Sequence, residues 1–198
     1  RWLGGNKVTV NGLKKLLKNH SKEEGITIID IGCGHGDILR DVAKFGRKQH
    51  YKFKLVGIDA NPTAIKYAKE LSINYPELSF ETQDIFSETF KKRQFDVVLA
   101  TLFLHHFKEK QLISFLESTS KQAKKGIVVN DLHRHKMAYY LFMLLSLFIK
   151  NKMIVNDGLI SVLRGFKHKE LVEISQKIST QPDISWKWAF RFLWIIKK

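Results

Sequence analysis

The segment that most limits what this chain can fold into is Asp30-Ile-Gly-Cys-Gly-His-Gly-Asp37, which ends a β-branched run starting at Ile26. Such a β-branched run reads as a strand buried on both faces, the habit of parallel sheets flanked by helices. Glycines at alternate positions 32, 34 and 36 allow a tight turn and a close approach of backbone to ligand. The loop leads into the helical pattern of residues 37–45, and free N–H groups at a helix start favour a negatively charged ligand group. A strand-to-helix turn can also hold glycines for purely structural reasons, so the loop needs support from elsewhere.

That support comes from carboxylates. Asp30 sits at the carboxyl end of the first strand, Asp59 ends the strand predicted over 53–58, and Asp84 follows the strand predicted over 78–83. Any one of them could be a helix cap, but acids ending three successive strands occupy the edge where open α/β sheets bind ligands. A dinucleotide pyrophosphate would be repelled by Asp30, whereas an amino group would pair with it. The spacing Gly-x-Gly-x-Gly also departs from the Gly-x-Gly-x-x-Gly of nicotinamide sites. Asp59 can hold both hydroxyls of a ribose, and Asp84 can accept from an adenine amino group with Ile85 against the ring.

Hydrophobic spacing orders the rest. Residues 1–25 read as an N-terminal helical segment, with Val10, Leu13, Leu16 and Leu17 on one face. A helix is expected from Pro62, its first position, to residue 74. A buried strand covers 95–101. A helix over 108–124 is expected to stop at Gly126, ahead of a strand over 127–132. An apolar helix over 136–150, a turn at Asn156-Asp157-Gly158 and an amphipathic helix over 168–178 follow. Strands over 184–190 and 192–196 lack a helix between them, which predicts an antiparallel hairpin at a sheet edge. Alternating strands and helices elsewhere predict a mostly parallel seven-stranded sheet covered on both faces.

The pieces Asp30-Ile-Gly-Cys-Gly-His-Gly36, Gly57-Ile-Asp-Ala-Asn61, Gln83-Asp84 and Ala100-Thr-Leu-Phe-Leu-His-His-Phe107 resemble those of class I S-adenosylmethionine-dependent methyltransferases. The resemblance implies an α/β, Rossmann-like three-layer sandwich. By analogy Asp30, Gly32, Cys33 and Gly34 line the methionine end of S-adenosylmethionine, Asp59 and Ala60 the ribose, Asp84 and Ile85 the adenine, and Thr101 and Leu102 border the cofactor. Arg1-Trp-Leu-Gly-Gly5, Asn130-Asp-Leu-His-Arg134, and Asp157-Gly158 with Arg164-Gly-Phe166 look like small bacterial methyltransferases of the ubiquinone-methylase-like group, often associated with polyketide or quinone-type pathways. This narrower likeness implies O-methylation of an aromatic or lipophilic hydroxylated acceptor, with Asn130, Tyr139 and Arg164 on the acceptor side and residues 133–166 as a substrate-covering insertion.

Methyl transfer needs a positioned acceptor and a place for its proton. Histidine suits that task at neutral pH, and His105, His106 and His133 all follow strands on the ligand edge. Adjacent side chains on an extended segment point oppositely, so only one of His105 and His106 is expected in the site. These histidines can equally cap a helix or shape the pocket.

With 198 residues, 44% of them hydrophobic, and only 3 prolines, one domain spanning 1–198 is expected. The chain starts at Arg1 rather than Met, an indication that the native start is missing. The single cysteine, Cys33, leaves no intrachain disulfide and no Cys-based zinc cluster; no metal is expected. That cysteine usage and the lack of a visible signal peptide fit a cytoplasmic location. The apolar run Met137-Ala-Tyr-Tyr-Leu-Phe-Met-Leu-Leu-Ser-Leu-Phe-Ile149 is shorter than the ~18–20 residues that span a bilayer. Flanked by Lys136, Lys150 and Lys152, it suits either core packing or peripheral contact with an anionic membrane. The net charge of +15 fits an anionic partner or a lysine-rich solvated surface, and it keeps an RNA or nucleic-acid methyltransferase as the alternative function. Against that alternative, Thr101-Leu-Phe-Leu104 stands where an Asn/Asp-Pro-Pro-Tyr/Phe motif for exocyclic amines is expected, and Cys33, in the cofactor loop, is not placed as a cytosine nucleophile.

Overall fold

A computed structural model describes residues 4–198; Arg1, Trp2 and Leu3 of the N-terminal motif lie outside them. The elements run α1 (Gly5–Leu16), β1 (Ile26–Ile31), α2 (Asp37–Gln49), β2 (Phe53–Asp59), α3 (Pro62–Leu71), β3 (Leu78–Thr82), α4 (Glu88–Lys91), β4 (Phe95–Thr101), a 3₁₀ turn (Leu104–His106), α5 (Glu109–Gln122), β5 (Ala123–Leu132), α6 (Lys136–Ser146), α7 (Lys152–Arg164), α8 (His168–Lys177), β6 (Asp183–Lys187) and β7 (Arg191–Lys197). The seven strands form one sheet in the order β3-β2-β1-β4-β5-β7-β6. The first five are parallel, and β7 runs antiparallel to both β5 and β6. This is the expected Rossmann-like sandwich, with the terminal pair closing one edge.

The apolar runs are continuous because alternate residues serve opposite faces. Ile29, Ile31, Val98, Val129 and Trp194 face one core with Phe115 of α5 and Ile174 of α8. Ile28, Leu55, Leu99, Val128 and Leu193 face the other with Leu13 of α1 and Leu39 of α2. The start of α3 is as the sequence demands: Pro62 is at its first turn, and the Asn61 side chain accepts from the Thr63 and Ala64 amides.

Two local expectations are overturned, and one element is new. Gly126 does not end a helix; α5 stops at Gln122 and the chain passes straight into β5. Gly126 lies inside that strand at φ 146°, and a Cβ there would fall 2.2 Å from the Ile196 carbonyl oxygen of β7. The antiparallel neighbour approaches so closely that no side chain is tolerated. Asn156-Asp157-Gly158 is not a turn but the middle of α7. A Cβ at Gly158 would stand 2.3 Å from the Phe142 ring of α6, so this glycine makes room where two helices cross. Finally, α4 was not foreseen: four residues, capped by Ser87, are too few to leave a hydrophobic period.

Candidate functional site

The carboxyl ends of β1, β2 and β4 gather the glycine loop, Asp30, Asp59 and the 3₁₀ turn at one edge of the sheet. Gly32, Gly34 and Gly36 adopt φ of 69°, 52° and 74°, a left-handed backbone that residues with a side chain adopt at a cost. At Gly34 nothing lies within 4 Å of where a Cβ would stand, so a ligand can meet the bare backbone there. The Gly34 amide donates to Asp59 Oδ2 at 3.0 Å, and Asp59 Oδ1 accepts from the Asn61 amide at 2.9 Å. Asp59 thus ties the loop to the end of β2.

Asp30 is 1% exposed, and its Oδ1 has no hydrogen-bond partner. Burial, and then the charge of Asp59, push its carboxyl up to about 8. An unpartnered buried carboxyl is costly, and a cationic ligand group would relieve it; the cradle therefore fits the ammonium end of S-adenosylmethionine. Burial also pushes the Cys33 thiol up, with Asp30 and Asp59 adding to the effect, so Cys33 is an inert wall of the loop. Ala60 and Asp84 are exposed, Asp84 Oδ1 accepts from the Phe86 amide at 2.9 Å, and Ile85 packs against the core.

Beyond β4 the chain bends at Leu102, whose φ is 53°, into the 3₁₀ turn. Because His105 and His106 lie in this turn rather than on an extended segment, the expectation that only one faces the site fails. Both line the same cavity, with ring centroids 4.2 Å apart. The cavity holds about 610 Å³. Leu102, His133, Leu141, Leu145, Trp188 and Phe190 are among its walls, most of them apolar.

His105 is buried, and its Nδ1 lies 2.7 Å from Asp131 Oδ1. A carboxylate only accepts, so Nδ1 carries a proton, and in the neutral imidazole Nε2 is then the nitrogen with the lone pair. That Nε2 is buried without a partner. Asp131 is held in turn: its Oδ2 accepts from the Leu104 and His105 amides at 2.8 and 3.3 Å. Partial desolvation, then His105, hold the His106 imidazolium below its usual range, with Asp131 and Asp157 opposing. His133 is lowered by burial and then by His135; its ring packs on Phe192 at 4.7 Å between centroids.

The residues expected on the acceptor side are not brought together. Asn130 is fully buried, and its Nδ2 donates to the Gly5 carbonyl at 2.8 Å and to Thr9 Oγ1 at 2.9 Å. Thr101 Oγ1 meets the same Thr9 hydroxyl at 2.9 Å. Both side chains anchor α1 to the sheet. Tyr139 does not line the cavity and instead makes an edge contact with Tyr140. Arg164 borders a separate pocket of about 230 Å³ with Glu109 and Glu170. The residue missed in the sequence is Asp131. Its one signal was a carboxylate in the same strand as the apolar run Ile127–Val129, where burial demands a partner.

Residues 22–157 match the family of the methyltransferase domain. The chain is 33% identical over 128 residues to a putative protein N5-glutamine methyltransferase of Methanocaldococcus jannaschii, covering 64% of this chain and 61% of that protein. It is 29% identical over 145 residues to the ubiquinone biosynthesis O-methyltransferase of Rickettsia bellii, covering 69% and 55%. The chain therefore matches less than two thirds of the length of either relative. Among solved structures, the plantazolicin methyltransferase BpumL in complex with SAH superimposes with a TM-score of 0.72 at 18% identity, over 98% of this chain and 84% of that one. Fold and family match agree on one class of protein: the chain belongs to the methyltransferase-domain family.

Proposed function

We propose that the chain methylates a hydroxyl oxygen of a small apolar acceptor seated in the cavity beneath α6 and α7. The observation that carries this reading is the Asp131–His105 pair beside an apolar cavity, with the free Nε2 on His105. S-adenosylmethionine, when bound, supplies a methyl group on a positively charged sulfur. Asp30 pairs its ammonium, Gly32, Cys33 and Gly34 shape the loop around its amino-acid end, and Asp59 and Ala60 lie at the ribose. Asp84 and Ile85 take the adenine, and Leu102 and the Thr101 backbone border it. His105 Nε2 accepts the hydroxyl proton, and Asp131 stabilises the imidazolium that forms. Residues 133–166 cover the acceptor. The R. bellii relative, an O-methyltransferase by name, supports oxygen as the target.

The test is methyl transfer from radiolabelled S-adenosylmethionine to matched alkyl-substituted phenols, anilines and thiophenols, with a glutamine peptide and total RNA alongside. Label is expected only in the phenols, as methyl ethers by mass spectrometry. Label in the RNA or the peptide, with none in the phenols, overturns the reading.

Peripheral membrane contact is a further part of this reading, favoured by one observation. Leu144, Leu147, Phe148 and Met153 on or between α6 and α7, and Trp186 and Trp188 near the end of β6, are all more than half exposed. Lys136, Lys150 and Lys152 flank them and are exposed. Among the described residues no helix is long and apolar enough to cross a membrane. An apolar face rimmed by lysine suits the surface of an anionic bilayer, the store of a lipophilic acceptor. Co-sedimentation with phosphatidylglycerol vesicles at low salt is expected, falling at least about tenfold in F148E; no wild-type binding at low salt removes the membrane from the reading.

A further inference from the structure

The cavity wall contains a cation that proton transfer does not use. Arg191 opens β7, faces Leu132 across the antiparallel pair and lines the cavity. Its Nε and Nη1 are both buried and have no hydrogen-bond partner. Among the described residues no carboxylate pairs with it. Asp131, whose charge acts on it, is already committed to His105 Nδ1 and to backbone amides. Desolvation works against the charged guanidinium, and Asp131 only partly offsets this. The group is also held in place from behind: a Cβ on Gly5 would fall 2.9 Å from the Arg191 Cζ, so the first turn of α1 packs directly on it. That turn carries no acidic residue.

A fixed, unpaired cation in a largely apolar cavity is unfavourable when the cavity is empty. It becomes favourable when a ligand brings an anion, and a guanidinium fork suits a carboxylate better than any other side chain does. We propose that the acceptor is an apolar carboxylic acid, whose carboxylate pairs with Arg191 while its hydroxyl is presented to His105. The apolar body then lies against Leu141, Leu145, Trp188 and Phe190. This proposal rests on the O-methylation reading for the hydroxyl, but the anion site stands on its own observations.

The same chemistry has a second source, the amino-acid carboxylate of S-adenosylmethionine. Position in the fold favours the acceptor. In the strand order β1-β4-β5-β7, β7 is three places from the strand that carries the glycine loop, about 14 Å at the usual strand spacing. Arg191 shares the cavity with Trp188 and Leu145, and no residue of the loop 32–36 lines it.

The experiment compares dodecanoate with dodecanol as probes, each titrated without methyl donor and followed by quenching of tryptophan fluorescence, since Trp186 and Trp188 line the cavity. The wild-type protein is expected to bind dodecanoate about tenfold or more tightly than dodecanol. R191Q is expected to erase the preference by weakening dodecanoate alone, and R191K to retain part of it. Equal affinities in the wild type, which need no variant to measure, overturn the proposal; so does a preference that survives in R191Q. Calorimetry with S-adenosylhomocysteine separates the two sources. Unchanged binding in R191Q is expected, while a loss there with the dodecanoate preference intact assigns Arg191 to the cofactor and overturns the acceptor site. Because no methyl transfer is measured, failure of the phenol assay leaves this outcome readable.

Discussion

Replacing Asp30 by asparagine is expected to weaken S-adenosylhomocysteine binding by about 100-fold or more and, with no ligand present, to raise the melting temperature. Both effects have one cause. Asp30 is buried at the end of β1 with Oδ1 unpartnered, and burial and Asp59 push its carboxyl up to about 8. An unfolded aspartate titrates near ~3.9. Between those two values the folded state holds a proton that the unfolded state has lost, so Asp30 lowers stability progressively as pH rises from about 4 to about 8. Asparagine has no proton to lose. Its stabilising effect should therefore be absent near pH 4 and fully developed above pH 8, at roughly 2–4 °C for each kcal/mol in a chain of this size. The bound ammonium reverses the preference by favouring the carboxylate. Ligand binding at pH 7 should then release a proton, seen as a dependence of calorimetric heat on the ionisation enthalpy of the buffer, and affinity should rise between pH 6 and 8. D30N should show neither. Wild-type affinity in D30N, or heats independent of buffer in the wild type, would show that Asp30 does not meet the ammonium.

How much of this was legible beforehand depended on whether a residue's neighbours are local. The order of strands and helices was readable because buried strands have period-free apolar runs and helices have their own spacing. The glycine loop and Asp59 were readable because the loop follows its strand directly and each acid ends its own strand. Long-range relations were not. Gly126 looked like a helix stop, but its reason is the Ile196 carbonyl of β7, seventy residues away. Gly158 looked like a turn, but it answers to Phe142 on a neighbouring helix. Asn130 has the sequence position of an acceptor residue, but its amide serves Gly5 and Thr9 of α1. Its neighbour Asp131, on the opposite face of the same strand, is the one that reaches His105. A one-residue difference along a strand changes the face, and sequence alone does not say which face meets the site.

That pairing sets the last and sharpest expectation. With the acceptor found in the phenol panel, H105A is expected to lower kcat by about 10²–10⁴-fold, while binding of S-adenosylhomocysteine stays within a factor of about three. D131N is expected to cost less, about 10–100-fold: the asparagine oxygen still accepts one hydrogen bond but no longer offers a charge to the imidazolium. Removal of His105 leaves a buried carboxylate with one partner fewer, which destabilises the fold. H105N, a variant that can still donate to Asp131, separates loss of the base from loss of structure; it should recover the melting temperature but not the turnover. H106A and H133A should reduce kcat by less than about fivefold, because neither ring has a carboxylate to fix its tautomer: His106 is exposed, and His133 packs on Phe192 with Nδ1 unpartnered. Equal losses in all three variants would mean that the histidines shape the cavity and that proximity alone drives transfer. A large loss confined to His105 and Asp131 would place the proton on His105 Nε2, the unpartnered nitrogen of the ring that Asp131 holds.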